Sequence, residues 1–481
     1  MNKIKLILKK LNNLSPAAKA SFWFVISNIA LKGLSFITTP IFTRLMQVED
    51  YGTTSVFVTW ENVISIFATL SLAGGVYNVA QAKFGNDINA FTSCMLTLSF
   101  ITSTIVYTIC IITNILYPVL FGINTLFLIF MWLQTFTNAV VSFWLMRRRY
   151  IYAYKSVIVY TLTSALLNPT IAVIGILIFP NHAVYAKLIG SGLFGILFGI
   201  IICIITYKKG QKLVSKGYWG YALRFNLPLL PHYLSSTILN SSDKIMIDKL
   251  VGAAAAGIYS IAHSISALIS IITQAINSSL IPYTLQSIKK ENFDGLKKTI
   301  SSCTILVAVL CLCVTLFAKE GILIFATIDY IEASLFIPPL AIAVLFEFIT
   351  GIVGNILFYY EKTWQMSAIT ITCAFFNIIL NYFGIIHFGY VAAGYTTLIC
   401  SVLKLVLYYF VVKKHEKNLS KIVDLRVFWL IVFVCVVLMA YSVIFSKNLL
   451  ARLGLFFIII LAIIVFYKKI IQLFCSMRKK N

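Results

Sequence analysis

The 481-residue chain is 60% hydrophobic and only 11% charged, with a mean hydropathy of +0.94, which excludes an ordinary soluble protein. The formal net charge of +24 would suit an acidic partner, but its placement along the chain assigns it to a membrane surface and not to nucleic acid. The ten cysteines lie almost all inside apolar runs, at spacings that suit neither a metal nor a disulfide framework, and read as small core residues.

From the N-terminus, residues 1–19 carry Lys3, Lys5, Lys9, Lys10 and Lys19 but no hydrophobic core, so the first apolar run reads as an uncleaved span. Apolar runs near 21–43, 53–75, 91–113, 119–142, 154–178, 183–206, 223–243, 254–278, 300–318, 335–357, 365–386, 390–411, 427–446 and 453–473 predict about fourteen transmembrane helices. Helices are required because lipid offers an open backbone no hydrogen-bond partner. Turn residues or charges punctuate the runs: Asn86-Asp87, Pro180-Asn181, and the basic stretch Lys208 to Lys216.

With the N-terminus in the cytoplasm, 30 of the 39 Lys and Arg residues fall in the tail, the inner loops and the C-terminus, and six in the outer loops. Trp23, Trp144, Trp219, Trp364 and Trp429 then sit at cytoplasmic helix ends, where an amphipathic ring prefers to lie. Anionic lipid of the inner leaflet is the expected partner of this basic charge.

The chain also repeats itself. Arg44-Leu45, then Gly52 and Ser55, returns as Lys249-Leu250, Gly257 and Ser260, a constant offset of 205 residues. Six spans have even parity, so both copies face the same way, related by an axis along the membrane normal with a cavity between them. The predicted layout is an all-α integral membrane protein of two six-helix bundles plus two C-terminal helices. It comprises a tail at 1–20, a first lobe at 21–207, a basic linker at 208–222, a second lobe at 223–413, a loop at 414–426 and the extra pair with its tail at 427–481.

Around the seventh span stand Arg224, Phe225, Pro228, Asp243, Lys244, Gly257, Tyr259 and Ser260. The first span has Lys32, Pro40, Arg44 and Tyr51-Gly52, and a later stretch has Asn377 and Asn381 followed by Gly389, Ala392, Ala393 and Gly394. In these residues the chain resembles the polysaccharide exporters of the multidrug/oligosaccharidyl-lipid/polysaccharide superfamily, most closely the Wzx-type O-antigen flippases. The resemblance spans nearly the whole chain on motifs that are each loose. It implies transport of an undecaprenyl-pyrophosphate-linked oligosaccharide across the bacterial inner membrane, with possible partners in a polysaccharide polymerase and a chain-length regulator.

Charges inside spans carry the sharper information, since each costs about 2.5–3.5 kcal/mol at the bilayer centre on insertion scales. Lys32, with Asn28 and Ser35 at helical spacings, forms a polar stripe that either meets a phosphate or packs between helices. Lys404 and Arg224, with Arg44 and Lys249 at span ends, are the other candidate substrate contacts; interfacial anchoring is the alternative for each. Lys187, a few residues from the outer surface, reads as a snorkelling side chain. Lys244 and Asp248, four apart, are spaced to pair on one helix face. Mid-span Glu61 and Glu347 either take a proton and couple transport to its gradient or lock two helices together, and Asp243 is a third candidate coupling group.

Outer loops are short, and no Gly-rich phosphate loop, carboxylate pair or Cys/His cluster is spaced for chemistry, so neither an enzyme nor a cofactor or metal is expected. Two rival readings remain: a multidrug exporter of the same superfamily, whose cationic cargo would suit an acidic cavity, and a membrane glycan polymerase, which would need a larger outer loop.

Overall fold

The computed structural model describes residues 16–121, 124–360, 362–416, 425–444, 450 and 452–457, and over these it is helical with no strand. In chain order the helices are α1 (Pro16–Leu45), α2 (Val48–Ala68), α3 (Val76–Lys83), α4 (Ile88–Leu116), α5 (Pro118–Phe121), α6 (Thr125–Tyr150), α7 (Tyr154–Ile178), α8 (Ala183–Gly210) and α9 (Lys216–Asn226). They continue as α10 (Leu230–Leu250), α11 (Ala253–Lys289), α12 (Phe293–Leu316), α13 (Ala318–Phe325), α14 (Ile337–Tyr359), α15 (Thr363–Phe388), α16 (Ala392–His415) and α17 (Leu425–Ile444). Most of the expected last span, 453–473, lies outside the described residues, as do the N- and C-terminal basic tails.

Among the described residues, nine helices are long and apolar enough to cross a membrane. Their surroundings follow from what they leave uncovered. The most apolar window of α7 is only 11% buried, and α4 exposes Ile105, Ile109, Ile112 and Ile115 in a row. Water would not tolerate apolar faces of that extent, whereas hydrocarbon does. By contrast, 83% of the equivalent window of α14 is buried. The chain is a multi-pass membrane protein.

Two breaks depart from the apolar runs. The second span, expected to reach residue 75, ends as a helix at Ala68, because Leu70 and Ser71 take left-handed φ values of 50° and 48°. Asn226 holds that turn: its Nδ2 donates to the Leu70 carbonyl at 2.7 Å and its Oδ1 accepts from the Val76 amide at 2.8 Å. A Cβ at Gly75 would run into this same amide, which explains a glycine there. The second departure is in the run around 223–243. It is α9 and α10 separated by a 3₁₀ turn at Leu227–Leu229, where Pro228 and Pro231 each remove a backbone donor and crowd the preceding turn.

The chain forms two compact units, Met1–Thr237 and Ile238–Asn481, divided within α10. Unit 1 has two cores. One gathers Tyr77, Phe91, Met95 and Phe143, with Tyr77 edge-on to Phe143 at 4.9 Å; the other gathers Phe57, Phe127, Met131 and Leu188. Helices α7 and α8 pack closely because Gly190 lies against the Ala172 backbone, where a side chain would not fit. Unit 2 is built around α14, packed by α11, α12, α15 and α16, while α17 lies against α12.

Candidate functional site

The densest buried polar cluster is in unit 2, at the end of α10. Asp243 is 3% exposed, yet its carboxylate is fully engaged. It accepts from the Tyr259 hydroxyl of α11 at 2.5 Å, from Asn381 Nδ2 of α15 at 2.5 Å and from the Thr397 hydroxyl of α16 at 2.8 Å. Asn381 also donates to Asn377 Oδ1 at 3.2 Å, which accepts from Ser242 at 3.1 Å, and the Thr396 hydroxyl donates to Asn381 Oδ1. Four helices thus meet on one carboxyl group.

Local sequence explains the convergence. Asn377 and Asn381 are one helical turn apart and share a face of α15. After α15, Gly389 at φ 77° turns the chain, so that Thr396 and Thr397 stand near the start of α16. Hydrogen bonds to a charged group are worth about 1.5–3 kcal/mol each, so three donors oppose much of the cost of burying the Asp243 charge. Ser242, Asp243 and Tyr259 of one sequence motif and Asn377 and Asn381 of another therefore form one site, a link that spacing alone does not reveal.

Lys404 and Glu347, expected in separate roles, form an ion pair between α16 and α14, with Nζ at 2.8 Å and 3.1 Å from the two carboxylate oxygens. Over 337–357 of α14, Glu347 is the one exposed residue. A charge pair at the one exposed position of this stretch neutralises Lys404 while leaving Glu347 accessible.

In unit 1, Glu61 is buried and accepts from Asn138 Nδ2 of α6 at 3.3 Å. Lys187 does not reach toward a surface. Its ammonium donates to the Thr54 hydroxyl at 2.7 Å and lies 3.9 Å from the Tyr51 ring centre and 5.0 Å from that of Phe42. Sequence reasoning missed this cage because Tyr51 and Thr54 are 136 and 133 residues away.

Arg44, Arg224 and Lys249 each fall in the last turn of a helix. Arg44 is exposed and donates from Nη1 to the Pro40 carbonyl of its own helix at 3.0 Å. Arg224 is exposed in the last turn of α9. Asp248 pairs with Lys249 at 3.6 Å rather than with Lys244. Lys32 lies within α1, but its side chain, like those of Asn28 and Ser35, is outside the described residues. Asn226 is a polar residue that motif reading passed over; its signal was its place between Phe225 and Pro228 in an apolar stretch. Among the described residues no group of three His, Cys, Asp or Glu is placed to hold a metal ion.

The arrangement has known relatives. A protein of Haemophilus influenzae described as Lsg locus putative protein 1 is 21% identical over 358 residues, covering 73% of this chain and 86% of its own. The structure of the lipid II flippase MurJ in an inward closed conformation aligns with a TM-score of 0.67 at 15% identity, covering 93% of this chain and 99% of that one. An inward-facing multidrug resistance MATE family transporter of the MOP superfamily aligns with a TM-score of 0.59 at 14% identity, covering 82% of this chain and 99% of its own. The MatE family matches residues 228–383, and the polysaccharide biosynthesis protein family matches residues 17–288, more than half of the chain. With a fold shared by MOP-superfamily transporters, the chain belongs to the polysaccharide biosynthesis protein family.

Proposed function

We propose that this protein is a flippase that moves an undecaprenyl-pyrophosphate-linked oligosaccharide, an O-antigen or similar repeat unit, across the bacterial inner membrane by alternating access. Both termini lie in the cytoplasm, as the weighting of basic residues supports. The family match supports a polysaccharide cargo. The observation that carries the transport mechanism is the Asp243 cluster: one carboxylate shared by α10, α11, α15 and α16. A proton or a monovalent cation taken up there would change the charge that holds four helices together, which is what a gradient must do to bias a carrier between two states. Lys404, held by Glu347, is the cation that an incoming pyrophosphate would compete for. Polymerase and chain-length regulator would receive the product outside.

Proteoliposomes loaded with a labelled lipid-linked oligosaccharide test both halves of this reading. Wild type should move the label when a sodium or pH gradient is imposed, and Asp243→Asn should lose at least tenfold of the gradient-driven component while inserting normally. No movement of the label by wild type would remove the flippase assignment; equal gradient response in Asp243→Asn would remove the coupling role. The MatE match over 228–383 favours one second reading, export of a cationic drug, for which the exposed Glu347 carboxylate would be the contact. Uptake of a cationic dye in the same vesicles, lost in Glu347→Gln, would establish it.

A further inference from the structure

Unit 1 contains a cavity of about 200 Å³ at the basic ends of its helices, lined by none of the residues given a transport role above. Arg147 and Arg148 of α6 and Lys209 of α8 line it, together with Asn89 and Thr92 of α4 and Trp144. Successive arginines on a helix diverge by about 100°, yet both border this one space. Each guanidinium is half-buried, and among the described residues none of the three cations forms an ion pair with a carboxylate. The Arg148 guanidinium carbon lies 5.4 Å from the Trp144 ring centre, within reach of a cation–π contact. The polar floor is organised too, since the Tyr77 hydroxyl is hydrogen-bonded to the Thr92 hydroxyl at 2.8 Å. Three convergent cations without a counter-charge repel one another unless an anion joins them.

The walls identify the class of anion. Ile202 and Ile205 of α8 line the same cavity, and Ile205 is 41% exposed, next to exposed Ile201 and Ile204 on the outer face of the helix. The basic recess therefore opens beside an apolar surface of the kind that faces acyl chains. We infer that this recess is a binding site for an anionic phospholipid, its phosphate held by Arg147, Arg148 and Lys209 and its acyl chains lying over Ile205 and its neighbours. Guanidinium groups favour bidentate contacts to phosphate, which a zwitterionic lipid would satisfy less well because its own ammonium is repelled by the same cations. The site is separate from the transport reading, and its test needs no cargo.

Purified full-length protein in a neutral detergent is the sample. Native mass spectrometry of wild type should retain phosphatidylglycerol at least fivefold more than phosphatidylcholine at equal concentration. In thermal unfolding, phosphatidylglycerol should raise the midpoint by about 4 °C, whereas phosphatidylcholine and inorganic phosphate should raise it by less than about 1 °C. The Arg147→Gln/Arg148→Gln double variant should lose the phosphatidylglycerol shift, and Lys155→Gln, an exposed cation that does not line the cavity, should keep it. Equal retention of the two lipids by wild type, or an undiminished shift in a folded double variant, overturns the site. An equal shift with inorganic phosphate overturns the assignment to a lipid.

Discussion

Residues related by the 205-residue offset sit in a polar corner of each unit, and the two corners carry opposite charge. An offset of 205 residues maps Thr54 of α2 onto Tyr259 of α11 and Thr38 of α1 onto Asp243 of α10. The same offset carries Lys187 of α8 onto Ala392, the first residue of α16. In unit 1 the hydroxyl of Thr54 accepts a hydrogen bond from a buried ammonium; in unit 2 the hydroxyl of Tyr259 donates one to a buried carboxylate. Residues related by the offset thus take part in different chemistry in the two units. Unit 1 holds a tethered cation that cannot leave, embraced by Tyr51 and Phe42. Unit 2 holds an anion with amide and hydroxyl partners, a set of oxygens and donors that can rearrange around a proton or a mobile cation. Under the proposed function the coupling step would belong to unit 2, with the Lys187 corner a fixed joint between α2 and α8.

The largest expected effect breaks that asymmetry directly. Lys187→Met keeps the volume and the apolar contact with Tyr51 while removing the charge and its burial cost, so gradient-driven transport should fall by no more than about threefold. Compared in the same vesicles, Asp243→Asn should fall at least tenfold. Equal losses in the two variants would mean that both corners switch, and the fixed-joint assignment would be wrong.

Next in size is the Lys404–Glu347 pair. Removing one partner leaves a charge unpaired in a membrane helix, so Lys404→Gln and Glu347→Gln should each destabilise by about 1–3 kcal/mol, whereas the double variant should be closer to wild type. A thermal or denaturant double-mutant cycle reads the coupling. Additive losses, with no coupling energy above about 0.5 kcal/mol, would show that the 2.8 Å contact contributes nothing to the fold.

The way these pairs came to light also marks what the sequence carries. Helix existence is legible because about twenty apolar residues between turn signals admit one solution in lipid. The repeat is legible because Gly52 and Gly257 hold the same place, each the fifth residue of its helix, α2 and α11. Rotation about each helix axis is not legible: α8 and α14 are apolar on nearly every side, so no polar stripe declares which face meets a neighbour. Lys187 thus read as a residue near the surface, and Lys404 and Glu347 as unrelated charges 57 positions apart. Asn377 and Asn381 were the exception, since two amides one turn apart do define a face. Their partner Asp243, on a different helix 138 residues from Asn381, needed the fold.

The smallest expected effect sets the baseline for a charge pair of unit 2 outside the membrane helices. Arg452 grips Glu320 of α13 with both arms, Nη1 and Nη2 each 2.8 Å from a carboxylate oxygen, and Nη1 also donates to the Leu316 carbonyl at 2.9 Å. Burial acts to raise the Glu320 pKa, but the hydrogen bonds and charge of Arg452 outweigh it and hold the carboxyl below its ordinary 4.5. A depressed folded value stabilises the protein above pH 4.5, and that contribution disappears as the pH falls through the folded value. Glu320 is 39% exposed, so solvent screens the pair and the effect is small. At pH 7, Glu320→Gln should unfold about 1–2 °C below wild type, and the gap should close below pH 4.5. A gap that instead widened on acidification would reverse the sign and show that Arg452 does not stabilise the Glu320 carboxylate. If the gap at pH 7 matched that of Glu347→Gln, placement on the membrane helices α14 and α16 would confer no special weight on the Lys404 pair, and the contrast between charges inside and outside the membrane helices of unit 2 would collapse.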